Sequence, residues 1–283
     1  MQENKEDWDL IIKPKQSLFS IDFRALWRYR DLLLMFVKRD FVAVYKQTIL
    51  GPIWFFIQPI LTTLTFLIIF GNIAKISTDG LPKVLFYMSG IVLWNYFAEC
   101  LTKTSETFTA NANLFGKVFF PRLIVPISIV VSNLIRLGIQ FLLFLCLWLY
   151  FYWNDANIHL NVVALLLPVL MLLMAGHGLA FGIIISSLTS KYRDLKFLIQ
   201  FGVQLLMYAS PVVYPLSSVP EKYKWILLMN PMTSIIETFK YGFLGVGVFD
   251  PIHLIYNAIG LIIILFFGLI LFNKVEKSFV DTV

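Results

Sequence analysis

The sequence predicts an all-α polytopic membrane protein: six transmembrane helices, an N-terminal amphipathic helix lying in the membrane interface, and re-entrant helices between spans five and six. Three observations predict it. Of 283 residues, 59% are hydrophobic and 14% charged, where soluble domains carry about 45–50% and about 25%. The mean hydropathy is +0.79. Six apolar runs approach the ~20 residues that cross a bilayer. So few charges could not clothe a water-facing surface of this size, which excludes a soluble enzyme, a disordered chain and a secreted scaffold.

Residues 1–19 read as a polar tail, and their polar, partly acidic start argues against a cleavable signal peptide. Residues 20–50 read as the interfacial helix. Between 20 and 45, Phe23, Trp27, Leu34, Val37, Phe41 and Val44 recur at helical spacing, and Arg24, Arg28, Asp31, Lys38 and Arg39 interrupt them. Ser20 is a candidate cap. That many charges cannot cross hydrocarbon, but such a helix can lie with its basic side near lipid headgroups. Packing on a partner protein is the competing reading, and the two can coexist.

Residues 51–283 read as the membrane domain, with spans near 52–71, 84–106, 123–152, 162–188, 195–214 and 252–272. Several exceed the spanning minimum, so tilt or short extensions beyond the bilayer are expected. The stretch 215–250 is neither a loop nor a full span. Pro215, Pro220 and Pro231 divide it into short apolar pieces, which fits two helices dipping partway into the membrane. Such backbone survives at depth only where protein or a water-filled cavity satisfies it.

The net charge of +6 and pI near 9.2 reflect orientation rather than nucleic-acid binding. With the N-terminus inside, 17 Lys and Arg fall on cytoplasmic segments and five outside, with Arg136 inside a span. That asymmetry places both termini in the cytoplasm. Cys100 and Cys146 lie in or beside apolar runs without a CxxC pair or clustered His, so they read as packing residues, and no metal site is expected.

An energy source is missing from the chain. There is no phosphate-cradling GxxxxGKS/T; the only Gly-Lys pair, Gly116-Lys117, runs into Val118. No relay of Asp, Glu and His crosses the spans as proton-driven pumps require, and no half-to-half repeat is visible. These gaps point to a permease whose ATPase is a separate polypeptide.

Five segments carry a more specific signal: YKQTILGPIWFFIQP at 45–59, NANLFGKVFFPRLIVP at 111–126, YRDL at 192–195, YASPVVYP at 208–215 and NPMTSIIE at 230–237. In this order and spacing, from about residue 20 to 272, the chain resembles the ABC-2 type permease family, most closely the membrane subunits of ABC exporters for O-antigen, capsule or teichoic-acid polysaccharides. The resemblance implies a permease, not an enzyme, in the cell inner membrane. Two copies would pair with two copies of a P-loop ATPase and pass a lipid-linked polysaccharide through a channel at the permease dimer interface. This chain would bind no cofactor; ATP and Mg would sit on the partner. A two-fold interface can enclose a sugar chain where six helices alone leave little room. An ABC-2 permease for a small molecule or a lipid is the main alternative. A membrane-bound glycosyl transferase finds no support, because no cluster of Asp, Glu or His faces a cytoplasmic loop.

The resemblance also suggests roles for residues. The loop after span two looks like the family's coupling helix, at 111–120, with Asn113 capping it. Leu114, Phe115, Val118 and Phe119 would be its apolar face toward the ATPase, beside Lys117, and Arg122 would anchor the turn into span three. Tyr45, Lys46 and Gln47 ahead of Gly51-Pro52 form a hinge between the interfacial helix and span one, or a substrate contact. Sugars present C–H faces that stack on aromatic rings, so Trp54, Phe55, Tyr87, Trp94 and Tyr96 are candidates to line the path. Belt and packing roles compete for the same rings. Gln58, Asn133, Arg136, Gln140, Gln200 and Gln204 are polar within spans; an interhelical clamp is favoured, with Glu99 or Glu106 as the partner of Arg136. His177, between Gly176 and Gly178, reads as a packing residue rather than a proton shuttle. The 215–250 segment resembles the family's external gate, with Tyr214, Pro215, Trp225, Asn230 and Glu237 facing the exit.

Overall fold

The computed structural model describes residues 23–46, 49–154, 157–192 and 194–279. The tail at 1–19, Ser20 and Gln47 lie outside the described residues. Helices α1 (Phe23–Arg28) and α2 (Arg30–Tyr45) are separated at Tyr29. One face of α2, with Phe36 and Val37, is buried, while Leu34 and Met35 stay exposed, as does Trp27 of α1. Gly51 then takes a left-handed backbone (φ 53°), which a side chain would disfavour, and a 3₁₀ turn, Gly51–Ile53, swings the chain into α3 (Trp54–Phe66). Pro52 fits there because an N–H at a helix start would go unpaired. α3 carries Pro59 inside it and relaxes into a π stretch, Leu67–Ile73.

α4 (Lys83–Ser105) is the central helix, with 16 of its 23 residues buried. Beyond it come two single-turn pieces, α5 (Thr107–Ala110) and α6 (Ala112–Phe115), then α7 (Ile124–Trp153) and α8 (Leu167–Thr189). α8 lies against α4 through glycine: a Cβ at Gly178 would stand 2.6 Å from that of Cys100, and one at Gly182 2.5 Å from that of Thr104. Small residues are what let two membrane helices approach this closely. Between those glycines and Gly176, His177 is buried with Nδ1 2.9 Å from the Leu173 carbonyl.

α9 (Leu195–Tyr208) buries none of its residues. α10 (Glu221–Leu228) and α11 (Pro231–Leu244) follow, and α12 (Pro251–Phe279) closes the chain. The Asn230-Pro231 start of α11 is a cap: the Asn230 side chain accepts the Met232 N–H at 3.0 Å. Asp250 does the same for α12, accepting the Ile252 N–H at 2.8 Å, and this bond holds its carboxyl below the usual range.

Among the described residues, five helices are long and apolar enough to cross a membrane: Gly51–Ile73, Lys83–Ser105, Ile124–Trp153, Val162–Thr189 and Pro251–Lys277. They coincide with five of the six expected spans. The remaining one, expected over 195–214, is helical only to Tyr208; its 14 residues reach about 21 Å against a hydrocarbon core of ~30 Å. Neither α10 nor α11 is long enough to cross. α10 exposes Tyr223, Trp225 and Ile226, whereas α11 is buried along most of its length against α4, α7 and α8.

Candidate functional site

The spans enclose a polar cavity of 270 Å³ between α3, α4, α7 and α9. Trp94, Asn95, Glu99 and Thr102 reach it from α4, and Arg136 and Gln140 from α7. Gln58 of α3 and Gln200 and Gln204 of α9 complete the wall, and these three glutamines are exposed in the protomer. The α9 pair sits four residues apart, which puts both on one face of the helix. Amides at this depth are costly facing hydrocarbon and are expected to face protein or water.

Glu99 organises the floor of the cavity. It accepts from Arg136 Nη1 at 2.6 Å and from Lys103 Nζ at 2.9 Å. Of the two expected partners for Arg136, the ion pair forms with Glu99; Glu106 pairs instead with Lys196 at 2.8 Å. The Arg136 guanidinium also lies 5.0 Å over the Phe55 ring. Arg136 borders a second cavity of 290 Å³, which continues toward Arg39, Asp40, Lys103 and Glu106. The two cavities share Arg136 in their walls.

The aromatic path candidates end in different places. Tyr87 and Tyr96 are buried in the protomer core, because α4 is surrounded on most sides and its rings pack rather than project. Phe55 is buried beneath Arg136. Trp94 lies in the wall of the first cavity and Phe55 in the wall of the second, both of them buried in the protomer, and Trp54 at the start of α3 is exposed. The walls are therefore richer in amides than in rings, and Asn95, which sequence reasoning missed, belongs among them. The hinge candidates divide as well: Lys46 caps α2 by donating its N–H to the Val42 carbonyl, and Gly51 and Pro52 make the bend.

The loop between α4 and α7 departs from a single helix over 111–120. It is helical only through Phe115, and Asn113 lies exposed inside α6 rather than capping it. The reason is an aromatic knot. Phe115 is 6% exposed and meets Phe108 and Phe120 at 5.9 and 5.8 Å; Phe108 meets Phe272 of α12 at 4.7 Å, and Phe120 meets Phe36 of α2 at 5.8 Å. Burying these rings sets the loop's path more strongly than helix propensity does. Arg122 locks it, donating from Nη1 to the Glu276 carbonyl at 2.5 Å with its guanidinium over the Phe115 ring. Lys117, Val118 and Phe119, the last 65% exposed, form the projecting tip, with Leu114 half-buried behind them.

At the other end of α4, the expected exit-facing residues are mostly inside. Asn230 caps α11, and Pro215 and Glu237 are buried. Tyr214 donates from its hydroxyl to the Tyr208 carbonyl at 2.9 Å; only Trp225 projects. Close to Glu237 lies a residue that sequence reasoning counted merely as an outside charge. Lys240 is 1% exposed, donates to the Pro211 carbonyl at 2.6 Å and sits 3.5 Å over the Phe86 ring. Its place in the apolar run from 235 to 244 was the signal that could have found it.

The profile of the family described as "ABC-2 type transporter" matches residues 31–244. The chain is 28% identical over 255 residues to the O-antigen export system permease protein RfbA of Klebsiella pneumoniae, covering 89% of this chain and 94% of that one. It is 26% identical over 263 residues to the protein of the same name from Myxococcus xanthus, covering 92% and 98%. To the polysialic acid transport protein KpsM of Escherichia coli it is 25% identical over 234 residues, covering 81% and 87%.

Proposed function

Since this chain belongs to the ABC-2 type transporter family, we propose that it is the membrane-spanning subunit of an ATP-driven exporter. Its cargo would be a lipid-linked polysaccharide, O-antigen-like, carried out across the inner membrane through a channel between two copies of the chain. The observation that carries this reading is the amide-walled cavity, open on the side where Gln58, Gln200 and Gln204 are exposed. A sugar chain offers hydroxyls in many orientations, and amides, which both donate and accept, can exchange bonds with it as it slides. A second copy covering α9 would take those amides out of lipid and close the path.

In this reading α9 and the irregular segment after it together form the fifth of six spans, and α10 and α11 are the re-entrant pair of an outer gate. Both termini are cytoplasmic, as the 17-to-five distribution of Lys and Arg implies. The exposed tip at Lys117, Val118 and Phe119 docks on a P-loop ATPase that supplies ATP and Mg chemistry, two copies serving two permeases. The aromatic knot beneath the tip carries its movement to α2 and α12.

The test is export in cells lacking the native gene. Gln200→Leu with Gln204→Leu should cut surface polysaccharide at least tenfold while the protein still accumulates in the membrane. Undiminished export would remove the cavity from the path. Affinity purification in mild detergent should bring down a P-loop ATPase in equal amount, and a chain that purifies alone while folded would overturn the ATP-driven reading.

A further inference from the structure

α9 forms one wall of the amide-walled cavity, yet none of its residues is buried. On its inner side Ile199, Val203, Leu206 and Met207 are half-buried against the core. Apolar contact of this kind is non-directional and fixes the position of a helix weakly. Among the described residues, the one ion pair that α9 makes joins Lys196 Nζ to Glu106 Oε1 at 2.8 Å. Lys196, Gln200 and Gln204 follow one another at intervals of four, so the pair is the first rung of the stripe that lines the cavity. The facing stripe of α4 carries Asn95, Glu99 and Thr102 and ends at Glu106.

Glu106 stands at a joint. It closes α4 and opens α5, with backbone angles in the bridge region (φ −97°, ψ 7°). The loop with the exposed tip at Lys117, Val118 and Phe119 starts from it. Bonds on either side fasten the joint to α8: Thr189 Oγ1 donates to the Ser105 carbonyl at 2.9 Å, and the Phe108 N–H to Ser186 Oγ at 3.3 Å. The pair itself has room to part. Glu106 borders both the 290 Å³ cavity and a further one of 250 Å³, which Lys196, Thr109 and Thr189 also line. The side chains of Lys196 and Glu106 are 46% and 32% exposed. An ion pair that water reaches contributes little to stability. Such a contact can open and re-form readily, which suits setting a position more than holding a fold.

We infer that Glu106 and Lys196 form a latch that ties α9 to the base of the loop and sets the gap between α4 and α9. Movement of the loop then widens or closes the amide-walled cavity. The inference rests on the exporter reading and adds the contact that regulates its path. Its test is maleimide labelling of Val203→Cys, on the inner side of α9, in the full chain in lipid nanodiscs. Cys146→Ser removes the exposed native thiol, and Cys100 is buried. Lys196→Glu sets two carboxylates against each other and should speed labelling about fivefold. Adding Glu106→Lys should return the rate to that of the parent. Lys196→Gln, which removes the attraction without adding repulsion, should speed labelling about twofold. It covers the case in which the first variant does not fold. In cells, Lys196→Glu should cut export about fivefold, in step with the shifted gap, at normal membrane abundance, and the double variant should restore it. A packing role alone would lower abundance together with export. Labelling indifferent to both Lys196 variants, faster labelling that the reversed pair fails to correct, or unchanged export despite faster labelling would overturn the latch. The two readings fail separately. Polysaccharide export with charge-indifferent labelling removes the latch and leaves the exporter, whereas charge-dependent labelling in a chain that exports no polysaccharide does the reverse.

Discussion

At the end of the bundle that carries residues 107–123, five phenylalanine rings meet inside, and the one buried charge among the described residues there, Arg122, lies with its guanidinium over the Phe115 ring. At the end that carries 209–250, the ammonium of Lys240 and the carboxylate of Glu237 are inside, and aromatic Trp225 and Tyr223 are left outside. Both ends are ordered, but the forces differ in character. Ring packing is non-directional and tolerates small adjustments of shape, so the first end can hold a fixed knot and still present a free tip. A buried charge is held by a few directed contacts, and losing one leaves its partner uncompensated.

Variants can break this contrast or sharpen it. The largest effect is expected for Phe115→Asp, which loses about 3–5 kcal/mol of ring packing and adds the cost of burying a carboxylate among rings. The protein should vanish from the membrane fraction on immunoblots, and normal abundance would mean that the knot does not hold the loop. Lys240→Met is next, at about 3–5 kcal/mol, because Glu237 and the Pro211 carbonyl both lose their cation. Adding Glu237→Gln should return part of the lost Tm in detergent; a single variant as stable as the parent would show that this end does not depend on its charges. Glu99→Gln, in the cavity between the two ends, should cost about 1.5–3 kcal/mol by weakening bonds to Arg136 and Lys103, again read as Tm. The smallest effect on stability belongs to Phe119→Asp, within about 0.5 kcal/mol. That variant should nonetheless lose co-purification of the ATPase, and retained binding would move the docking surface elsewhere.

Much of the architecture was legible because its signals are local. Five of the spans coincide with helices long and apolar enough to cross, and proline and asparagine mark helix starts at 52, 230 and 231. The candidate site was legible only in part. Gln58, Arg136, Gln140, Gln200 and Gln204 stood out as polar residues in apolar runs, and they converge on one cavity. Aromatic residues misled, because a ring in the core and a ring at a channel wall have the same composition and spacing. Phe115 is inside because it shares a cluster with rings far away in the chain, Phe36 and Phe272, and Tyr87 and Tyr96 because they belong to a core built with distant residues such as Met174 and Ile236. Asn113 looked like a cap because the helix was expected to begin beside it, whereas Phe115 anchors the loop and ends the helix one residue before Gly116.

The sequence by itself determined that this is a multi-pass helical membrane protein of the ABC-2 family, since hydropathy, charge asymmetry and motif order are properties of the chain read in one dimension. Tertiary structure alone decided which carboxylate meets Arg136, which aromatic rings are core, and that Glu237 and Lys240 lie buried. Those outcomes depend on how α4 is enclosed by helices distant in sequence. Burial and pairing are set by the neighbours a side chain meets, and spacing along one helix does not specify them.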